Sequence, residues 1–386
     1  MHIFLRMLAP VIALGAATNA GGAPRIEAAV PAPDAAPIAF LVDVSSGQIL
    51  MEREADRRFV PASITKVMTL YLAFELIEAR KLQLAQTFTV RPETFKEWHN
   101  KGSRMFVPKD ARISVDDLLM GIAAVSANDG SIILAEGAAG SVDGWVALMN
   151  RKARDLGMNN SHFGTPNGWM DEGRTFTTAR DLTTLARAII TRHPSKYARY
   201  FGREGFKYNN IAQANHDPMI GVVDGADGLK TGFTNEAGYG FLGSAKRNGR
   251  RLIMVIAASE RPQFRNKAAR ELIEWGFSAH DIKPLFYKGN EVGFAEVQDG
   301  ASGRVALLAP GTINATFPAG APRNVRLTIH YEGPLQAPVA KGERIAELEI
   351  QVDGLPPSRV PLMTADDVPK AGTFQRLYNG IAGLIS

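Results

Sequence analysis

Two stretches of alternating hydrophobic and polar residues, far apart along the chain, predict the strands of one antiparallel sheet. The first, IAFLVDVSSGQILMEREAD (residues 38–56), has two strand-like runs joined by Ser-Ser-Gly, which indicates a β-hairpin. The second, YGFLGSAKRNGRRLIMVIAAS (residues 239–259), has two half-buried runs that meet at Asn248-Gly249, the strongest short hairpin signal. A sheet whose strands come from both ends of a domain leaves the residues between them as an insertion.

Helical spacing of apolar residues dominates between the hairpins and returns after the second one. Capping residues and helix breakers predict six helices. The first begins at Pro61, the second follows Ser114 as its N-cap, and the third follows Asp129. The fourth ends before Gly157, the fifth runs from Thr178 as N-cap to a stop at Pro194, and the sixth closes the domain over 267–277. Residues 37–280 are therefore predicted to form one α+β domain: an antiparallel sheet with helices on both faces and a helical insert.

The pattern changes from about residue 284. NVRLTIHYEG (324–333) and RIAELEIQVDG (344–354) alternate apolar and polar residues between Gly/Pro turns, which predicts a small all-β domain over 284–365. The tail, 366–386, has one apolar stripe at helical spacing, formed by Phe374, Leu377, Ile381 and Leu384. Few basic residues accompany the stripe, so contact with a membrane surface and packing against the β domain both stay open.

The N-terminus predicts export. Arg6, an apolar stretch over 7–17 and small residues before Ala20 are typical of a cleaved signal peptide, residues 1–20. The apolar stretch is too short to span a bilayer, which needs roughly 20 residues. An Ala/Pro/Gly-rich linker follows over 21–36. We therefore expect a periplasmic protein, with a peripheral position on the outer face of the inner membrane as the alternative.

Composition narrows the classes of function. The 386 residues are 45% hydrophobic and 22% charged, as in a soluble globular protein. The net charge of +5 comes without a Lys/Arg block, which argues against nucleic acid as a partner. The chain has no cysteine, which excludes a disulfide scaffold, a cysteine nucleophile and an iron–sulfur cluster.

The candidate chemistry begins in PASITK, where Ser63 and Lys66 precede an apolar helix. Residues three apart on a helix share a face. A serine hydroxyl becomes a nucleophile when a neighbouring base takes its proton. Lysine serves as that base when burial or a second positive charge keeps it neutral. The alternative is a capping serine and a lysine that extends its ammonium to solvent.

Two further motifs favour the catalytic interpretation. Ser126-Ala127-Asn128 lies at a break between two apolar helices, so its polar groups are expected to point into the domain. Lys230-Thr231-Gly232 lies on a predicted strand, where the glycine leaves room for a ligand against the backbone. Ser-x-x-Lys, Ser-x-Asn and Lys-Thr-Gly, in this order, form the motif set of the penicillin-recognising serine enzymes.

The resemblance extends beyond these motifs. SANDGSIILAEGAAGSVDGWVALMNRKARDLGMNNSHFGTPNGWMD and DGLKTGFTNEAGYG resemble the low-molecular-weight penicillin-binding proteins of the D-alanyl-D-alanine carboxypeptidase type, and the β domain resembles their C-terminal domain. The resemblance implies a penicillin-binding/β-lactamase-like transpeptidase fold. It also implies that the enzyme removes the terminal D-alanine from peptidoglycan pentapeptides and that β-lactams inhibit it covalently. No metal or organic cofactor is implied.

The resemblance also implies roles for individual residues. They are Ser63 as nucleophile, Lys66 as its base, Ser126 as proton relay to the leaving D-alanine, Asn128 on the substrate amide, Lys230 as a positive charge that keeps Lys66 neutral, Thr231 and Arg265 on the terminal carboxylate, with Gly232 beside them, and the N–H groups of Ser63 and Phe233 as oxyanion hole. Phe233 and His216 depart from the residues common in the family, which affects the expected specificity rather than the reaction type.

Other functions stay open at this point. A D,D-endopeptidase would use the same groups. A class A β-lactamase needs a glutamate in a Glu-x-x-x-Asn setting, which Glu172 lacks in TPNGWMDEGRTFTT. A non-catalytic wall-binding scaffold has no need for two buried lysines. Finally, GYGFLG over 238–243 matches a nucleotide-binding fingerprint, but it lies within a predicted strand instead of opening a helix.

Overall fold

The computed structural model describes residues 30–372, in two compact units. The first unit comprises the described chain up to Val44 and Leu50–Phe277, and the second comprises Ser45–Ile49 and the described chain from Ser278. The predicted signal peptide, most of the predicted linker and most of the predicted tail lie outside the described residues.

The first unit contains eight helices among its described residues. Their bounds are α1 Lys66–Glu78, α2 Pro92–Trp98, α3 Val115–Val125, α4 Asn128–Ala139, α5 Val142–Asp155, α6 Ala179–Arg192, α7 Pro194–Tyr200 and α8 Pro262–Ser278. The main strands are β1 Ile38–Asp43, β2 Gln48–Arg53, β7 Ala226–Thr234, β8 Gly238–Arg247 and β9 Arg250–Ser259, and all but the first two residues of β2 belong to this unit. Two short hairpins lie in the insert, β3 Thr87–Thr89 with β4 Arg112–Ser114 and β5 Gly205–Tyr208 with β6 Ile211–Ala214.

The five main strands form one sheet in the order β2-β1-β9-β8-β7. The predicted hairpins are confirmed, and β9 joins them by pairing antiparallel with both β1 and β8. Asn248 and Gly249 adopt φ of +48° and +83°, the left-handed backbone that a tight two-residue turn requires. The sheet therefore joins the two ends of the domain, and β7 forms its edge.

Helices cover both faces of this sheet, as predicted. Successive side chains of a strand point to opposite faces. In β1, the Phe40 ring lies under the guanidinium of Arg180 in α6, at 5.0 Å. The neighbouring Leu41 faces the other way, because its side chain fills the space beside Gly276 of α8. Hence α6 and α8 lie on opposite faces.

Two helix starts differ from the prediction. A short 3-10 helix, Ala62–Thr65, follows Pro61, and α1 begins only at Lys66. The helix predicted to follow Asp129 begins two residues earlier than expected, at Asn128. The carboxylate of Asp129 does not cap this helix from outside; it accepts N–H bonds from Met105 and from Gly130. The caps predicted for α3 and α6 are confirmed by bonds to their side-chain oxygens.

The second unit is built from strands throughout its described residues beyond Ser278. The strands are β10 His280–Phe286, β11 Glu291–Gln298, β12 Arg304–Leu308, β13 Ile313–Pro318, β14 Val325–Tyr331, β15 Leu335–Gln336, β16 Ala346–Val352 and β17 Ser358–Thr364. Six form a sheet in the order β14-β16-β17-β12-β11-β15, and β10 pairs with β13. The two alternating segments of the sequence are β14 and β16, which pair antiparallel.

No single helix within residues 30–372 has the length and apolar character needed to cross a membrane. Taken together, α4 and α5 have the length and apolar composition of a membrane span, but the two helices are bent by 88° relative to each other. The residues of α4 from Asn128 to Ala135 are buried.

Candidate active site

The turn that carries Ser63 is held by two glycines on neighbouring segments. A Cβ on Gly232 of β7 would lie 3.1 Å from Cγ1 of Ile64 and closer to the carbonyl oxygen of Pro61. A Cβ on Gly168 would lie 2.5 Å from the carbonyl carbon of Ala62. The sequence predicted that Gly232 leaves space for a ligand. In the structure, the absence of a side chain at Gly232 lets β7 pack closely against the Ser63 turn.

Lys66 is fully buried, and its side-chain nitrogen lies within hydrogen-bond distance of three oxygens. Nζ lies 2.8 Å from Ser63 Oγ, 2.8 Å from Asn128 Oδ1 and 2.7 Å from the carbonyl oxygen of Asn167. A neutral amine has two N–H donors and one lone pair. Because the amide and carbonyl oxygens can only accept, they take the two N–H groups, and the lone pair faces the hydroxyl of Ser63.

Burial sets the protonation state of Lys66. Desolvation, and then the positive charge of Lys230, hold the pKa of Lys66 well below its ordinary value, while the carboxylate of Asp129 opposes the shift. Among the causes of this shift, the charge of Lys230 is second to burial. A lysine whose amine is neutral can accept the proton of a neighbouring serine hydroxyl.

The Ser126–Asn128 segment points into the domain, as expected. Ser126 adopts left-handed backbone, φ +62°, between α3 and α4, and it is only 3% exposed. The backbone N–H of Asn128 donates to the carbonyl of Ser103 at 2.8 Å, and its Nδ2 donates to the carbonyl of Lys101 at 3.1 Å. These two bonds fix the amide so that its oxygen faces Lys66.

A second group of positive side chains lies at β7 and α8. Burial lowers the pKa of Lys230 to about 7, an effect that the charge of Asp217 opposes. Burial likewise lowers the pKa of Arg265 to about 10. Arg265 Nη1 donates to the carbonyl of Gly240 on β8 at 3.0 Å, which fixes the guanidinium beside the sheet.

These groups surround one cavity of about 480 Å³. Its walls are formed by Ser63, Gly102, Ser103, Ser126, Asn128, Gly168, Trp169, Met170, His216, Thr231, Gly232, Phe233, Thr234, Asn235, Tyr239 and Arg265. Lys66 and Lys230 lie buried behind these walls. The predicted residues therefore come together from four separate parts of the chain, and among the described residues no carboxylate lines the cavity.

Sequence reasoning missed two segments of the wall. One is 167–170, which supplies the Asn167 carbonyl to Lys66 and the Trp169 ring to the cavity. Residues 167–170 belong to a segment that resembles the family, and the nearby Glu172 is not among the residues that line the cavity. The other is 102–103, whose backbone holds Asn128. Backbone carbonyls carry no residue-type signature, so residue types alone do not reveal these contacts.

The comparisons with known proteins agree with this site. Residues 26–260 match the family model described as D-alanyl-D-alanine carboxypeptidase, and residues 281–370 match that of the C-terminal domain of penicillin-binding protein 5. The chain is 32% identical to D-alanyl-D-alanine carboxypeptidase DacC of Escherichia coli over 346 residues, 88% of this chain and 86% of that one.

Solved structures extend the comparison to the whole fold. Penicillin-binding protein 5 from Haemophilus influenzae, 29% identical, superposes with a TM-score of 0.76 over 91% of this chain and 100% of that chain. A penicillin-binding protein from Listeria monocytogenes in its ampicillin-bound form, 28% identical, has a TM-score of 0.56 over 63% of this chain and 97% of its own. With its catalytic motifs gathered at one cavity and both units matched, the chain belongs to the D-alanyl-D-alanine carboxypeptidase family of low-molecular-weight penicillin-binding proteins.

Proposed function

We propose that this protein is a serine D-alanyl-D-alanine carboxypeptidase in which Ser63 is acylated by the substrate. The observation that carries the proposal is the contact of 2.8 Å between Ser63 Oγ and the buried amine of Lys66. Two carbonyl-type oxygens engage the N–H groups of this amine, which leaves its lone pair for the serine proton. Nucleophile and base thus lie in hydrogen-bond reach, and the base is oriented by further groups.

The reaction then follows in two halves. Lys66 takes the hydroxyl proton while Ser63 Oγ attacks the carbonyl carbon between the two D-alanines. The oxygen of the tetrahedral intermediate is held by the N–H groups of Ser63 and Phe233. When the C–N bond breaks, the proton that Lys66 took from Ser63 passes through Ser126 to the departing amine, so D-alanine leaves and Lys66 is neutral again. Lys66 then deprotonates a water that attacks the ester carbonyl, the bond between this carbon and Ser63 Oγ breaks, and Lys66 returns the proton to Ser63.

The charge of the cavity supports a substrate with a free terminal carboxylate. Thr231 and Arg265 line the cavity, and Lys230 lies buried next to Thr231 on β7 and adds a further positive group. A carboxylate is stabilised there by charge-assisted hydrogen bonds. In a cross-linked peptide the chain continues through an amide link on the far side of the scissile bond. A D,D-endopeptidase would cleave such a peptide, and the test below distinguishes this activity from that of a carboxypeptidase.

A class A β-lactamase is less well supported. Such an enzyme uses a carboxylate in its site to activate the deacylating water. Among residues 30–372 no aspartate or glutamate lines the cavity. β-Lactams, which mimic the terminal D-alanines, are therefore expected to acylate Ser63 and to leave slowly.

Export to the periplasm is part of the proposal. The signal-like N-terminus supports it, since peptidoglycan lies outside the inner membrane. Contact between the C-terminal tail and the membrane stays a prediction, because residues 373–386 lie outside the described part of the chain.

The test combines labelling with product analysis. Purified protein without residues 1–20 is incubated with a fluorescent penicillin and, separately, with a pentapeptide ending in D-Ala-D-Ala and with a cross-linked dimer. We expect a covalent band and D-alanine release from the pentapeptide, both lost in Ser63→Ala and both retained in Ser195→Ala, an exposed serine in α7 outside the cavity. A labelled Ser63→Ala variant, or cleavage of the dimer alone, would contradict the proposal.

A further inference from the structure

Two aromatic rings form a flat apolar surface in the wall of the active-site cavity. Phe233 of β7 lies opposite Tyr239 of β8 in the sheet, and the two rings stack with 4.1 Å between their centroids and 21° between their planes. Both residues line the cavity, and Phe233 is 47% exposed. The mechanism described above uses the backbone N–H of Phe233 and leaves the ring pair without a role.

The ring pair lies at the end of the cavity where Thr231 and Arg265 are found. Gly240 follows Tyr239 directly, and its carbonyl accepts the hydrogen bond of 3.0 Å from Arg265 Nη1. Thr231 precedes Phe233 by two residues on β7, so the two side chains project from the same face of the strand, with their Cα atoms about 7 Å apart. The rings therefore lie next to the two residues that are proposed to bind the terminal carboxylate of the substrate.

This placement brings the side chain of the substrate's last residue within reach of the rings. In the proposed reaction the scissile carbonyl is held at the N–H of Phe233, and the terminal carboxylate is held at Thr231 and Arg265. The last residue of the substrate spans these two points. Its side chain branches from the same carbon atom as the carboxylate, so it lies in the part of the cavity that the ring pair lines.

The chemistry of this surface favours an apolar side chain that is larger than a methyl group. The faces of stacked rings are apolar, so a polar side chain placed against them gives up water without gaining a hydrogen bond. A methyl group covers only a small part of a ring, whereas a branched apolar side chain covers more of it and removes more apolar surface from water. Met170, which also lines the cavity, is 51% exposed and adds another large apolar side chain to the wall.

We propose that the Phe233–Tyr239 ring pair is a subsite for the side chain of the terminal D-residue, and that the enzyme therefore also releases apolar D-amino acids larger than alanine, such as D-leucine. The inference rests on the proposed function and extends it from D-alanine to a class of terminal residues. Ser63 receives the same acyl group from all these substrates, and only the departing D-amino acid changes. The ring pair therefore affects binding and acylation, and hydrolysis of the acyl-enzyme does not depend on the terminal residue.

The experiment compares two pentapeptides that differ only in their last residue, D-leucine or D-asparagine, whose side chains are similar in shape and differ in polarity. The value of kcat/KM for release of each residue is measured with the protein without residues 1–20. For the wild type we expect a value at least about tenfold higher with D-leucine, because an apolar subsite discriminates by factors of this order. Phe233→Ala removes the ring and keeps the backbone N–H, so the ratio of the two values should fall towards one. The ratio cancels any effect of the variant that is common to both peptides.

Phe294→Ala is the matched control, because Phe294 is a phenylalanine of similar exposure, 42%, that lies in β11 and does not line the cavity. Its ratio should equal that of the wild type. Phe233→Ser replaces Phe233→Ala if thermal unfolding shows that the latter is not folded, and the wild-type ratio tests the proposal without any variant.

Three results would overturn the subsite. They are a wild-type ratio of one or less, a folded Phe233 variant that keeps the wild-type ratio, and equal falls in the Phe233 and Phe294 variants. Release of D-alanine without any release of D-leucine would overturn it as well. A wild-type protein that releases no D-amino acid from any pentapeptide would instead refute the proposed function, so the two failures are distinguishable.

Discussion

Gly168 offers a direct test of how the Ser63 turn is positioned. Gly168 has φ of +72°, and an added Cβ would lie 2.5 Å from the carbonyl carbon of Ala62 and 2.8 Å from Thr65 Oγ1. Real Cβ atoms essentially never approach other heavy atoms within 3.0 Å. In Gly168→Ala, the 167–170 segment or the Ser63 turn must therefore move apart.

The magnitude follows from two separate effects. Left-handed backbone costs a non-glycine residue roughly 1–2 kcal/mol, which lowers the free energy of unfolding by that amount. The overlap adds a displacement on the order of 1 Å, because a packed interior yields through backbone shifts. A misplacement of about 1 Å in a reacting group reduces the rate about 10²-fold. We therefore expect acylation of Ser63 to slow by roughly two orders of magnitude.

Gly173→Ala separates the two effects. Gly173 has φ of +78°, but its added Cβ would meet only Glu236 Oε1, at 3.8 Å. This variant should lose roughly 1 kcal/mol of stability in urea unfolding and keep its acylation rate. The assay is stopped-flow acylation by a fluorescent penicillin for both variants and the wild type. Equal acylation rates in Gly168→Ala and Gly173→Ala would refute the reasoning, because the overlap would then have no effect on Ser63.

Three further predictions concern charge, backbone and core. Lys66→Arg should slow acylation of Ser63 by at least about 10³-fold, since a guanidinium does not deprotonate in proteins. In the wild type the pKa of Lys66 lies well below its ordinary value, so the acylation rate should fall as acid protonates the amine. A pH series of labelling rates measures this fall. Phe233→Ala removes a ring that stacks on Tyr239 with 4.1 Å between ring centroids, but it keeps the backbone N–H, so the acylation rate should stay within about tenfold of the wild type. A rate reduced about 10²-fold or more, as for a lost oxyanion donor, would contradict this prediction. Asp43→Ala removes the carboxylate that lies 2.7 Å from the buried guanidinium of Arg250. It should lower the free energy of unfolding, measured by urea titration, by about 3–5 kcal/mol. A loss below about 1 kcal/mol is typical of an exposed ion pair and would contradict the prediction.

Local sequence determined the elements whose physics is local. Asn248-Gly249 specifies its turn because both residues adopt positive φ, and the caps of α3 and α6 form because the capping oxygen lies three residues from its N–H donor. The three catalytic motifs were visible for the same reason, because their chemistry requires particular side chains at short spacing. The start of α4 was misplaced, since the carboxylate of Asp129 is committed to the backbone of a distant loop.

By itself, then, the sequence determined the family, the order of most elements and the side chains that are predicted to take part in the reaction. Only the tertiary structure decided how those side chains are held. The carbonyl of Asn167 reaches Lys66 across about a hundred residues, and Gly168 and Gly232 are required by contacts with the Ser63 turn. Backbone carbonyls, steric clearance and charges that act through space are not encoded by residue type or spacing, because they exist only after distant segments have packed together.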